Sequence, residues 1–245
     1  MRFGRHGLER LKKYKRGDAF SYTLGAFPTF ELLEAAPERA ESILFHPDYD
    51  GKEKLIALAE KQKVPVFEDK KTIERLSDKG NCFVAGVFKT EYTPILSERR
   101  HVLLVNPSDM GNLGTIIRTS AGFDGTDVAM IAPCADPNDP KTVRASMGAV
   151  FRVRVAVFDS IEAYLYAYPG RKLYPFMLKG SVPLGEAGKP EGDYTLVFGN
   201  EATGLPGRYA DMGEALRIPM GNKVDSYNLA CSVAMGLYAF SELVK

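Results

Sequence analysis

Three short runs from residue 101 onward, "HVLLVNP" (101–107), "DVAMIAP" (127–133) and "TLVFG" (195–199), are apolar at nearly every position. A strand with one wet face alternates apolar and polar residues, so a run without alternation needs cover on both faces. Helix-like stretches stand between and after them: "GTIIRTSAGF", "PKTVRASMGAVF", "SIEAYLYAY" and a closing helix within "SYNLACSVAMGLYAFSELV". Further strands are expected in "RVRVAVF", "KLYPFML" and "ALRIPM". This alternation predicts an α/β fold with a parallel sheet, over roughly 150 residues. A smaller α/β unit precedes it, with helices in "FPTFELLEAA", "GKEKLIALAEKQK" and "KKTIERLSDK" and strands in "ESILFHP", "VPVFE" and "CFVAGVF". "EYTPILSERR" holds a proline and a charge cluster between two apolar strands and is the expected junction. Residues 1–97 and 98–245 are therefore read as two domains.

Composition narrows the class. The chain has 245 residues, 45% of them hydrophobic, enough for a well-buried core. No run of about 18 apolar residues occurs, so no membrane-spanning helix is expected. The charged start "MRFGRHGLERLKKYKRGD" has no apolar signal core. Cys82, Cys134 and Cys231 are scattered, which suits reduced thiols and a cytoplasmic location. His6, His46 and His101 stand at no metal-ligand spacing, so neither a metal nor a Ser-His-Asp site is expected. The net charge of +1 hides an asymmetry, because residues 2–16 carry seven cations against Glu9 alone. Leu8, Leu11 and Tyr14 recur at helical spacing and predict a helix with a solvated cationic face. Such an arm either binds nothing or contacts the phosphates of a nucleic acid.

Three segments end an apolar strand in glycine or proline and a polar cluster. In "VNPSDMGNLGTIIRTSAGF", Gly111 and Gly114 permit a turn before a helix whose free N–H groups favour an anion. Arg118, four residues past Gly114, would project beside that turn or simply pair on the surface. The segment is neither a P-loop nor a G-x-G-x-x-G fingerprint. In "LVFGNEATGLP", Glu201 either meets a cation or satisfies a helix N-terminus. In "RIPMGNKVDSYNLACSVAMGLY", Asp225 or Ser226 is the natural N-cap of the last helix, with Asn228 in its first turn. Ala230, Ser232, Ala234 and Gly236 would permit close packing, including against a twin helix.

Taken together, these segments resemble the signature motifs of the SpoU/TrmH family of RNA ribose methyltransferases, within the SPOUT superfamily. Asn112, Gly114 and Arg118 match N-x-G-x-x-x-R; Gly199, Asn200, Glu201, Gly204 and Leu205 match G-N-E-x-x-G-L. Ile218, Pro219 and Met220 followed by Ser226, Asn228 and Leu229 match I-P-M and S-x-N-L. "VRASMGAVF" looks like the family's linking helix. The first 97 residues more loosely resemble its ribosomal-protein-like, RNA-binding domain. Three positions depart from the commonest form: "KGNCFVAGVF" stands for a His-Gln-Gly stretch, Tyr227 for leucine or methionine, and Ala202 for glycine.

The resemblance implies a SPOUT domain with a deep trefoil knot, S-adenosylmethionine as cofactor, and methyl transfer to a ribose 2′-hydroxyl without a metal. It implies Arg118, Glu201, Asn228 and Asn112 as the catalytic set, with Glu201 holding Arg118 or ordering the loop. Leu178, Gly199, Ile218, Met220, Ser226 and Tyr227 are implied at the cofactor. A homodimer is implied, with ribosomal RNA favoured over transfer RNA. A catalytically silent RNA-binding or assembly factor, and a base-methylating SPOUT enzyme, stay open as alternatives.

Overall fold

In chain order the first half contains β1 (Phe20–Leu24), α1 (Ala26–Ala35), β2 (Ala40–Phe45), α2 (Lys52–Lys61), β3 (Val66–Glu68), α3 (Lys70–Leu76), β4 (Val84–Lys89), β5 (Arg100–Val105) and α4 (Met110–Gly122). The second half contains β6 (Thr126–Ile131), α5 (Pro140–Ala145), β7 (Val155–Phe158), α6 (Ile161–Ala167), β8 (Lys172–Pro175), β9 (Val182–Pro183), β10 (Tyr194–Phe198), β11 (Leu216–Arg217) and α7 (Leu229–Leu243). This computed structural model describes residues 11–77, 80–178, 182–188, 190 and 192–243. The chain divides into two units, residues up to Glu91 with Asp136–Arg152, and Tyr92–Ala135 with Val153 onward.

The first unit has a four-stranded sheet in the order β1-β4-β2-β3. β4 runs antiparallel to β1 and β2, and β3 runs parallel to β2. β1 has no counterpart in the sequence reading. Its "FSYTL" buries two hydroxyls: Thr23 accepts from Gly86 N–H, and Ser21 donates to the Asn138 carbonyl. Asn138 comes from the later segment 136–152, which is bound here through several side chains. Arg39 is buried over the rings of Phe88 and Phe151 and donates to Asn138 Oδ1 at 3.0 Å. Arg152 pairs with Glu31 and Glu34 of α1. Gly148, at φ +81°, lies so close to α1 that a Cβ would meet that of Glu31 at 2.6 Å.

The basic arm departs from expectation. Residues 11–15 form no helix, and Leu8 lies outside the described residues. Leu11 is buried with Tyr22, Ile73 and Leu76, while Tyr14 donates to Asp136 Oδ2 at 2.6 Å. Tyr22 donates to the Lys12 carbonyl at 2.7 Å. Tertiary anchors for Leu11, Lys12 and Tyr14 thus override a short helix that propensity alone stabilises poorly.

The second unit is a five-stranded parallel sheet in the order β7-β6-β5-β10-β8, as the apolar runs predict. Leu103, Val105, Ala129, Ile131 and Val197 form its core with Tyr164 and Tyr209. The proline of "KLYPFML" ends β8, an edge strand, where a missing N–H costs least. A two-stranded parallel ribbon joins β9 to β11.

Residues 94–99, within the expected junction, are clamped to this second unit. Leu96 N–H donates to Asp127 Oδ2, and its carbonyl lies 2.8 Å from His101 Nε2. Tyr168 donates to the Ile95 carbonyl, Arg154 to that of Pro94, and Arg171 to those of Ser97 and Arg99. A carbonyl only accepts, so His101 carries its proton on Nε2, and Nδ1 accepts from the Tyr164 hydroxyl at 2.7 Å. The chain of donors continues from Thr195 to Tyr164 and from Arg171 to Thr195.

Candidate active site

β5 is followed by β6 and β7 on one side of the sheet, while β10 and β8 lie on its other side. The strand order therefore reverses between β5 and β10. In open parallel sheets the carboxyl ends of the strands at such a point form a crevice for ligands. The loop after β5 holds Asn106, Ser108 and Asp109, and the loop after β10 holds Gly199 to Gly204. Asn200 donates to the Asn106 carbonyl at 2.8 Å and ties the two together.

α4 begins at Met110, earlier than expected, so Gly111 and Gly114 lie inside the helix rather than in a turn before it. Asp109 is its N-cap and accepts from Asn112 N–H at 2.7 Å. Glu201 supplies the anion that such an N-terminus favours. Its Oε2 accepts from Ser108 N–H and Oγ at 3.1 and 3.0 Å, and Oε1 accepts from Asp109 N–H at 3.2 Å and Asn112 Nδ2 at 3.3 Å. Partial burial alone would raise the Glu201 pKa. Donation from its own N–H, Ser108, Asn112 and Asp109 outweighs that and holds it below the usual carboxylate value.

Asn228 extends the chain of contacts by donating to Asn112 Oδ1 at 2.9 Å. Its own Oδ1 accepts from Ala230 and Cys231 N–H at the start of α7. Asn228 therefore caps α7, the place that Asp225 or Ser226 was expected to take. Both of its amide ends are used, which fixes its orientation.

Arg118 is not held by Glu201, whose oxygens are taken by the α4 terminus. It lies six residues, about 9 Å, beyond Asn112 along α4. Its side chain is exposed and forms no hydrogen bond or ion pair among the described residues. Of the four residues expected to act, Glu201, Asn112 and Asn228 are joined and Arg118 stands apart.

A pocket of about 310 Å³ opens between the loops after β8, β10 and β11. Leu178, Gly199, Ile218, Met220, Ser226 and Tyr227 all line it, together with Glu201. Phe176 and Phe198, which motif reading passed over, also line it and are stacked at 4.4 Å. Gly236 of α7 faces this pair, and a Cβ there would come within 3.0 Å of either ring. Gly236 thus packs closely within its own chain. Gly199 is demanded by the loop itself, since a Cβ would lie 2.1 Å from the Gly204 carbonyl carbon. Gly204 turns at φ +66° with open space around it.

These dimensions and linings suit a nucleoside-sized ligand. The aromatic pair and Ile218 offer an apolar wall for a planar base. Asn200, Asp225, Ser226 and Thr203 offer polar groups for the remainder. Asn200 was visible in the motif but unassigned; its ties to Asn106 and the Ala202 N–H give it a part in shaping the loop.

A model of the SpoU rRNA methylase family matches residues 99–238. The chain belongs to the SpoU family. A Listeria monocytogenes protein provisionally named tRNA (cytidine(34)-2′-O)-methyltransferase is 32% identical over 143 residues, 56% of this SpoU chain and 84% of that protein. The 23S rRNA (uridine(2479)-2′-O)-methyltransferase of Streptomyces viridochromogenes is 29% identical over 220 residues, 85% of this chain and 69% of the relative. The crystal structure of an AdoMet-bound rRNA methyltransferase from Sinorhizobium meliloti superimposes with a TM-score of 0.79 at 25% identity, covering 93% of this chain and 88% of the other. The Sinorhizobium meliloti protein shares the α/β architecture described above.

Proposed function

We propose that this SpoU protein methylates a ribose 2′-hydroxyl of RNA with S-adenosylmethionine as the methyl source. The observation that carries the reading is the pocket at the strand-order reversal, joined through Glu201 to Asn112 and Asn228. Gly199, Ile218, Met220, Ser226, Tyr227 and Leu178 would hold the cofactor. Bound there, S-adenosylmethionine supplies an electrophilic methyl group on a sulfonium.

The protein's own residues must align the nucleophile and manage its proton. Glu201 is committed to the α4 N-terminus, so its role is to hold the loops after β5 and β10 in register. Asn112 and Asn228 pass that order on to the start of α7. Arg118 is the side chain free to meet substrate. A guanidinium stays protonated, so it grips a phosphate and orients the ribose, and the 2′-proton leaves to that phosphate or to water. Two relatives aligned along most of the chain, from Streptomyces viridochromogenes and Sinorhizobium meliloti, are named for rRNA, which favours rRNA over tRNA here. The reading includes a trefoil knot in the second unit, an RNA-gripping first unit, a homodimer and a cytoplasmic location. Exposed Tyr238 and Cys231 on α7 offer surface for the second copy.

Arg118→Lys tests the assignment, because lysine keeps the charge and loses the planar fork. Methyl transfer to RNA should fall about 100-fold in kcat, in line with removal of a transition-state contact. RNA affinity should stay near the parent's. Near-normal turnover with unchanged affinity rejects the role. Nuclease digestion and mass spectrometry of the product separate ribose from base methylation, and no transfer by the parent protein would favour a silent RNA-binding factor.

A further inference from the structure

Lysines and arginines near the start of the chain were read from the sequence as one continuous arm. The structure ties Tyr14 and the backbone of that arm to residues from elsewhere. Tyr14 is hooked to Asp136, at the head of the segment 136–152, and Tyr22 holds the Lys12 carbonyl. The arm forms no helix over residues 11–15, and Leu11 is buried as its anchor. Asp136 also accepts from Asn138 N–H, and Asp139 caps α5 by accepting from Lys141 N–H. Ser21 of edge strand β1 bonds the Asn138 carbonyl, so α5 lies along the same edge that the arm enters.

The result is a concentration of like charge. Lys12, Lys13, Lys15 and Arg16 are exposed on the arm, and Lys141 and Arg144 are exposed on α5. Lys12, Lys15, Lys141 and Arg144 form no ion pair among the described residues. The nearby carboxylates are engaged in local structure: Asp136 in the hook, Asp139 in the cap, Asp18 with Lys15 N–H. Like charges repel, so holding Lys12, Lys15, Lys141 and Arg144 together costs stability unless a polyanion neutralises them.

We propose that the arm at 12–16 and α5, joined by the Tyr14–Asp136 hook, form one phosphate-binding track for the backbone of the RNA substrate. The proposal rests on the methyltransferase reading for the identity of the polyanion. The hook brings the start of the segment that carries α5 to the arm, so the charges of α5 add to those of the arm. Backbone contacts of this kind position RNA without reading its sequence. They make affinity steeply dependent on salt, by about 0.7–0.9 of a log unit of slope for each contact.

The test uses the full chain and two labelled probes, total tRNA and transcribed 23S rRNA, titrated across a salt series. The pairs Lys12→Glu with Lys15→Glu, and Lys141→Glu with Arg144→Glu, should each flatten the slope by about 1–2. Tyr14→Phe, which removes the hook and no charge, should weaken RNA binding about 3-fold with little change in slope at saturation of the remaining contacts. Thermal melting and S-adenosylmethionine calorimetry, unchanged in the paired variants, would exclude a folding defect. A slope unchanged in the α5 pair overturns the joint track. Methyl transfer by the parent protein, measured separately, decides the underlying function, so the track falls alone if transfer occurs and the slopes do not move.

Discussion

The neighbouring strands β5 and β10 carry a polar network at each end, and the two are built to opposite rules. At the amino ends, His101, Tyr164, Thr195 and Arg171 are all buried and each is bonded to a partner. At the carboxyl ends, Asn106, Asn200, Glu201, Asn112 and Asn228 are linked just as continuously but reach the surface. Buried polar groups are expensive to strand, so the first network is a fastening that fixes residues 94–99 to the sheet. The second can exchange partners with water or ligand at small cost. The same chemistry of hydrogen bonds is thus sealed from water at one end and open to it at the other.

Breaking the buried end should produce the largest effect. Arg171→Ala strands acceptors on Ser97, Arg99, Tyr194 and Thr195. Unfolding in urea should show a loss of about 3–5 kcal/mol, the cost of opening a buried charged network. A loss under about 1 kcal/mol would erase the contrast. Acid gives the next largest effect. Burial, with Arg171 adding to it, pushes the His101 pKa down to about 4. The unfolded histidine binds its proton near pH 6.5, so the unfolded state gains protons first as pH falls. Stability should decline between about pH 6.5 and 4, by about 3 kcal/mol from this group, and level off below. Asp127, raised by burial, works in the opposite direction at the lower edge of that window. Urea midpoints stepped across this range, compared with His101→Asn, isolate the histidine's share. At the exposed end, Glu201→Gln should reverse the pattern. It should lower kcat/KM about 30-fold, near 2 kcal/mol, while stability moves by under about 1 kcal/mol. A melting loss larger than the activity loss would make the two ends alike.

How much of this was legible follows the same physics. The central strands announced themselves because burial on both faces leaves no alternation. Glu201, Asn112 and Asn228 could be singled out by motif, and Glu201 at a helix N-terminus was one of the readings its surroundings allowed. The start of α4 was hidden because Gly111 and Gly114 suggest a turn, and only Asp109 and Glu201, the latter 92 residues from Asp109, make a helix favourable there. β1 was hidden because Ser21 and Thr23 look like surface residues until their buried partners are known. The arm misled because its spacing matched a helix, whereas Leu11 and Tyr14 answer to separate anchors.

The contribution of residues 136–152 to the first unit bears on how such a protein can be rearranged by evolution. A gene break at residue 92 looks like a clean seam. It would leave Tyr14, Ser21 and Arg39 without Asp136 and Asn138, and Glu31 without Arg152. The first unit is therefore not a cassette that recombination can lift out and replace. Any exchange that keeps it intact must carry two separate pieces of the gene, so the two units are inherited together.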